Sequence, residues 1–284
     1  MSALLTVLDT PAPVVLAPTG MVPTRSMTPH VPLTPDEVAR DVDRAMAIGI
    51  TSVHLHARDA AGEPAWEQEI YRRLVGAVRE RVPDVVINVS TSGRTWSELE
   101  KRADCLALDG DLKPDLASLT LSSLNFLSGA SVNAPDTIVG LATIMRDRGI
   151  VPELEIFDLG MLNYAHVLER KGLLPGPVVA NLFFGNVAGM QATLAEVGLA
   201  TERLAPGAIW SCAGLGDYQL TAQALAVAAG GGARVGLEDG IYLDRARTQL
   251  ATNAGLVERV HHLLDIHERR VMTPDELRER LTGP

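Results

Sequence analysis

Eight short β-branched runs separated by longer amphipathic stretches leave this chain few folds to adopt. The runs fall at residues 14–17, 51–56, 85–90, 116–121, 151–157, 178–184, 208–212 and 233–238. Regular alternation of this kind marks repeated βα units and a parallel sheet. Several runs are almost wholly apolar, as strands are when a filled interior lies on one face and a helix layer on the other. Between them, helices are predicted over 34–48, 66–81, 134–148, 219–229 and 253–268. The first is the clearest: Thr34 caps, Pro35 sits in the first turn, Asp36 and Glu37 suit the positive dipole end, and Gly49 stops it.

With 284 residues, 46% of them apolar, the expectation is an α/β chain forming one (β/α)8 TIM barrel as a single catalytic domain over 1–284, since such barrels run to roughly 250 residues. A tail over 273–284, reading TPDELRERL from Thr273, is predicted as a capped helix packed outside the barrel or on a neighbouring subunit. The rival is a doubly wound open sheet. It lacks support, because no Gly-x-Gly-x-x-Gly follows the first strand and no Walker-type lysine is present.

A formal net charge of -10 opposes binding to nucleic acid, whose phosphates demand a positive field. A small anion is still compatible, because a local arginine or a metal overrides the global sign inside a cleft. The two cysteines, Cys105 and Cys212, are far apart and fit a reducing cytoplasm. No secretory start and no apolar stretch of about 18 residues is found, so no membrane partner is expected.

The chemistry concentrates in two segments. In TSVHLHARD, His54 and His56 lie two residues apart on a strand and therefore on one face. With Leu55 outward, both imidazoles point into the barrel mouth at the C-terminal ends of the strands, where barrel active sites lie. On spacing alone this fits zinc ligands and fits hydrogen-bonded core histidines equally well. In RVGLEDG, Arg234, Gly236 and Glu238 share one face of the eighth strand, and the glycine leaves the arginine room to rise. Strands eight and two flank strand one in a closed barrel, so Glu238 can join the histidines as a third ligand. A structural arginine–carboxylate pair closing the barrel is the alternative reading.

APTG with TPHVPLTPDEVA, then HLHARD, KPDLASLTLSSLNF, PELEIFDLGML and RVGLEDGIYL together resemble the β-keto acid cleavage enzymes, in content and in order, from about Ala17 to the C-terminus. The resemblance implies a zinc-dependent barrel, tetrameric, that reacts a β-keto acid with acetyl-CoA to give acetoacetate and a new acyl-CoA by a retro-Claisen step. It implies that His54, His56 and Glu238 bind Zn2+, and that Arg234 and Asp239 form the catalytic pair. A β-keto acid can chelate zinc through carboxylate and keto oxygens, with Asp239 as base oriented by Arg234. Glu155 matches a family carboxylate on strand five, inward with Glu153 and Phe157 by alternation. Ser90 matches a substrate-contacting serine, although Thr91-Ser92-Gly93 replaces the glycines that usually follow. Ser118 stands where a threonine is frequent and is expected to reach the acid.

Departures bear on the substrate. Where some members carry Gly-x-Glu to bind an amino group, this chain has Gly20-Met21-Val22, so Gly20 and Val22, with Met21 and His30, are expected to line a less charged pocket for an uncharged tail. Asp217 replaces a common arginine after strand seven. Arg25, Arg58 and Arg94 follow strand ends and are candidate CoA-phosphate contacts. Gly230-Gly231-Gly232 fits a phosphate loop or a helix C-cap.

Two other functions remain. An amidohydrolase-type hydrolase needs further histidine ligands from later strands, but His166, His261, His262 and His267 fall in predicted helices and His30 in a loop. A non-catalytic metabolite-binding barrel leaves Arg234 and Asp239 without a purpose, and a structural zinc prefers four closed ligands.

Overall fold

A computed structural model describes residues 9–282. The predicted tail and domain therefore end, at 283–284 and at 1–8, outside the described residues. The strands are β1 (Val14–Leu16), β2 (Ser52–Leu55), β3 (Val86–Val89), β4 (Leu116–Thr120), β5 (Leu124–Phe126), β6 (Gly129–Ser131), β7 (Val151–Ile156), β8 (Val179–Phe184), β9 (Ile209–Gly214) and β10 (Gly232–Val235). Eight of them close a parallel barrel in the order β1-β10-β9-β8-β7-β4-β3-β2. Closure leaves no unpaired edge among these strands. The remaining two, β5 and β6, form an antiparallel hairpin after β4 that the periodicity reading missed.

The helices are α1 (Pro35–Ile48), α2 (Gln68–Arg81), α3 (Leu99–Ala103), α4 (Pro135–Arg148), α5 (Leu159–Arg170), α6 (Leu194–Glu202), α7 (Gln219–Ala228), α8 (Asn253–Ile266) and α9 (Pro274–Thr282). Helix α1 has the predicted signals as a reciprocal capping box: Thr34 accepts from the Glu37 amide, and the Glu37 carboxylate accepts from Thr34 N–H. Gly49 ends it at φ +126, where a side chain is strained.

The barrel is filled in tiers. Val86, Leu116, Val179 and Ile209 form an apolar floor, closed from below by Met272 and by Leu277 of α9. Arg278 ties α9 there, donating to Asp115 and to the carbonyls of Asp84 and Val85. The tail helix thus plugs the N-terminal end of the barrel. Above the floor lies a polar tier in place of the branched aliphatics usual in such barrels: Asn88, Ser118, Glu153, Asn181 and Ser211, each at most 2% exposed. Asn88 Nδ2 donates to Glu153 Oε1 at 2.5 Å, and Ser211 Oγ donates to Asn181 Oδ1. This tier carries the mouth residues above it.

The eighth barrel strand is shorter than expected. It ends at Val235, and Gly236 turns out at φ +152, where an added Cβ would stand 2.0 Å from the Ala17 carbonyl oxygen. Gly236 is therefore required by the close approach of β1, and the room it leaves Arg234 is secondary. After the turn, Glu238 N–H bonds Ala17 O at 3.2 Å. Asn253, at the start of α8, accepts from Leu237 N–H and donates to Pro18 O, which ties together the segments that follow β10 and β1. Gly230 to Gly232 lie at the opposite, N-terminal end of β10. There Arg269 collects the Gly230 and Gly231 carbonyls and Gly232 packs on Pro13, so the segment is a tight helix-to-strand connection and the phosphate-loop reading is set aside.

Candidate metal centre and active site

His54 lies in β2 and His56 just beyond it, with Leu55 in the outer apolar layer. Strand β1 separates β2 from β10, as expected, so the segment after β10 brings Glu238 to the imidazoles. His54 Nε2 and His56 Nε2 are 3.0 Å apart, and His56 Nε2 is 3.2 Å from Glu238 Oε1. All three donor atoms fall within 4.8 Å of one another. Gly20 makes this packing possible: at φ +64 it lies against Glu238, whose Cγ is 2.4 Å from where a Cβ would stand.

The electrostatics favour ligation. Burial, helped by the Arg234 charge, holds His54 well below the usual histidine range, so its ring keeps a free lone pair. Burial alone would raise Glu238, but Arg234, His56 and His54 pull its carboxyl well below the ordinary value. Glu238 Oε2 is buried with no hydrogen-bond partner among the described residues. Facing imidazole nitrogens beside an orphaned carboxylate oxygen are costly in a closed interior. A divalent cation between them relieves that cost, and two nitrogen donors with one oxygen suit zinc.

Arg234 is 1% exposed and bridges two acids: Nη2 to Glu238 Oε1 at 2.7 Å, and Nε to Asp239 Oδ2 at 3.1 Å. Burial opposes its charge, but Asp239, Glu238 and Glu155 more than offset this and hold the guanidinium protonated. Burial lifts Asp239 to about 6 against the pull of Arg234. Arg234 Nη1 has no partner among the described residues, which leaves it one donor for an incoming oxygen.

These groups open on a cavity lined also by Met21, Ser90, Ser92, Arg94, Thr120, Phe126, Glu155 and Phe183. Of the residues singled out in the sequence, His56, Glu238, Arg234, Asp239, Glu155 and Ser90 meet here, with His54 buried beside His56. Ser118 lies a tier lower, its Oγ accepting from Thr91 N–H. Two residues on, Thr120 faces the cavity and donates to Glu155 Oε2 at 2.6 Å. Alternation along L-A-S-L-T offers both positions; depth in the barrel selects Thr120. Val22 lines a neighbouring groove with Pro23, Met27 and Tyr242, while Met21 turns into the cavity. Arg25 is paired with Glu37, and Arg58 donates to the carbonyls of Gly20, Pro23 and Gly62. Asp217 pairs with Arg247 at 3.0 Å on the surface. His166, His261 and His262 lie in α5 and α8, away from the mouth.

Beneath the site, burial pushes Glu153 up to about 7, against Arg234 and the Asn88 hydrogen bond. A raised carboxyl means that folding favours the neutral acid. Its contribution to stability is full below about 4.5 and lost as pH rises through 7, on the order of 3 kcal/mol over that window. Glu153→Gln is expected to remove this share of the pH dependence, so that urea-denaturation stability falls less between pH 5 and pH 8 than in the wild type. An unaltered slope would mean that folding does not raise the Glu153 carboxyl.

Fold and site together define a (β/α)8-barrel enzyme with a two-histidine, one-carboxylate cluster at its mouth. The β-keto acid cleavage enzyme family matches residues 11–282, and the chain belongs to that family. It is 34% identical over 261 residues to the 3-keto-5-aminohexanoate cleavage enzyme of Fusobacterium nucleatum subsp. nucleatum, covering 91% of this chain and 93% of that one. It is likewise 34% identical over 277 residues to the 3-oxoadipate:acetyl-CoA acetyltransferase of Cupriavidus necator, covering 96% and 95%. Among solved structures, the ternary complex of ObcA with C4-CoA adduct and oxalate superposes with a TM-score of 0.77 at 23% identity, over 89% of this chain and 68% of that one, and shares the fold.

Proposed function

We propose that this enzyme converts a β-keto acid and acetyl-CoA into acetoacetate and the acyl-CoA of the remaining chain, with zinc held by His54, His56 and Glu238. The observation that carries this reading is the junction of that donor set with the Asp239–Arg234 pair in one cavity. Its reaction balances as R–CO–CH2–COO⁻ plus CH3–CO–SCoA giving R–CO–SCoA plus CH3–CO–CH2–COO⁻. Zinc supplies Lewis acidity toward the keto oxygen when bound.

The chain's own residues do the rest. Asp239 accepts the proton from the carbon between the two carbonyls, and Arg234 aims the carboxylate and holds it in place through Nε. Arg234 Nη1 takes the acid's carboxylate, with Ser90 and Thr120 as further polar contacts. Glu155, fixed by Thr120, stands in the same cavity to receive and return protons. The carbon nucleophile attacks the acetyl thioester, and the thiol released adds to the original keto carbon. A retro-Claisen cleavage then frees acetoacetate, so no protein nucleophile is consumed.

The reading includes a cytoplasmic homotetramer. Supporting it, both cysteines are free and buried, and large apolar side chains such as Leu194 (80% exposed) lie on the surface. Incubating the zinc-loaded protein with acetyl-CoA and a panel of β-keto acids, followed by mass spectrometry, is expected to give acetoacetate and acyl-CoA in equal amounts. Free CoA without new thioester would instead indicate a hydrolase.

A further inference from the structure

One wall of the cavity is a run of touching phenyl rings with a guanidinium at each end. Arg94 lies over the Phe126 ring, its Cζ 3.8 Å from the centroid. Phe126 meets Phe157 edge-on at 5.7 Å, Phe157 stacks on Phe183 at 4.4 Å, and Arg234 lies over Phe183 at 5.0 Å. Arg234 is committed to Glu238 and Asp239. Arg94 is not: its guanidinium donates to no acceptor among the described residues, although it lines the cavity with Glu155 and Glu238.

Arg94 is also held in place. Gly93 packs so closely on the base of the β5–β6 hairpin that a Cβ there would lie 2.6 Å from Val132 O. Buried Arg102 then ties the Thr91 carbonyl to the Asn133 side chain, joining the loop of Arg94 to the hairpin that carries Phe126. A half-buried guanidinium, held over a ring with its fork of N–H donors unfilled, is preorganised for a carboxylate. Free surface arginines are neither fixed nor partly desolvated in this way.

Resting on the function proposed above, we propose that Arg94 makes this enzyme selective for β-keto acids with a second, terminal carboxylate. The keto acid end lies at His54, His56, Glu238 and Arg234. Methylenes run along the phenyl wall, with Leu124 and Met21 also lining the cavity, and the far carboxylate docks on Arg94. Two cationic ends joined by an apolar strip match a short-chain dianion. An amino tail would meet Arg94 with like charge, and an alkyl tail would leave its donors unfilled. This proposal replaces the uncharged tail expected from Val22, which lines an adjoining groove that shares Glu238 and Asp239 with the cavity.

The test compares kcat/KM for 3-oxoadipate, 3-oxohexanoate and 3-keto-5-aminohexanoate at saturating acetyl-CoA, and KM for acetyl-CoA at saturating keto acid, for wild type, Arg94→Met and Arg94→Lys. Wild type is expected to favour 3-oxoadipate over 3-oxohexanoate by roughly 10- to 100-fold, the range of a hydrogen-bonded charge. Arg94→Met should collapse that ratio toward one, and Arg94→Lys should keep part of it. Equal or better use of either other acid by wild type overturns the inference, as does an unmoved ratio in Arg94→Met. A rise in KM for acetyl-CoA shared by all three acids also overturns it, and places Arg94 on the coenzyme. Turnover of 3-oxohexanoate with no preference leaves the cleavage reading standing while this inference fails. No acyl-CoA from any acid removes both.

Discussion

Asp239→Asn is expected to lower kcat by about 10²- to 10⁴-fold, the usual worth of a positioned general base, while zinc content and the folded structure persist. Asparagine has nearly the same volume and can still accept from Arg234 Nε, but it cannot take up a proton. The fold survives because Arg234 keeps its 2.7 Å bond to Glu238, so no buried charge is left alone. Kinetics alongside metal analysis and circular dichroism separate the outcomes. Undiminished turnover would remove Asp239 from the mechanism, and a large fall in melting temperature would make its role structural.

Loss of a proposed metal ligand is expected to have an effect of similar size. His56→Ala removes the imidazole that touches both His54 and Glu238, at 3.0 Å and 3.2 Å, and leaves two donors on opposite sides of a gap. Even partners of metal ligands cost 10- to 100-fold when removed, so deleting a ligand should cost at least about 100-fold in zinc affinity and in turnover. Chelator treatment of the wild type should abolish acyl-CoA formation, and added zinc should restore it, whereas the His56→Ala protein should recover little. Full activity of a variant shown to be zinc-free would rule out the metal role.

Much of this was legible in the chain itself. Strand order and number follow from periodicity, because a strand buried on both faces must be apolar and its connecting helix must be amphipathic; all eight predicted runs overlap barrel strands. Closure then places β1 between β2 and β10, which is why His54, His56 and Glu238 could be grouped from residues nearly two hundred positions apart. Local capping chemistry set the limits of α1 in the same way.

Depth and close approach were not legible. Alternation assigns Ser118 and Thr120 to one face, and only the barrel's stagger shows which of them reaches the cavity. The turn at Gly236 breaks the assumed strand, because a neighbouring carbonyl, invisible in a one-dimensional pattern, occupies the space of a side chain. The hairpin bearing Phe126 is too short and too polar to register as a strand, yet it completes the wall on which Arg94 lies. The sequence by itself determined the barrel and which strand ends carry His54, His56, Arg234, Glu238 and Asp239, since these rest on period and on strand order. Tertiary structure alone decided which arginines bond carbonyls and carboxylates and that Arg94 lines the cavity with no acceptor on its guanidinium among the described residues, because hydrogen-bond partners are chosen by distance in space.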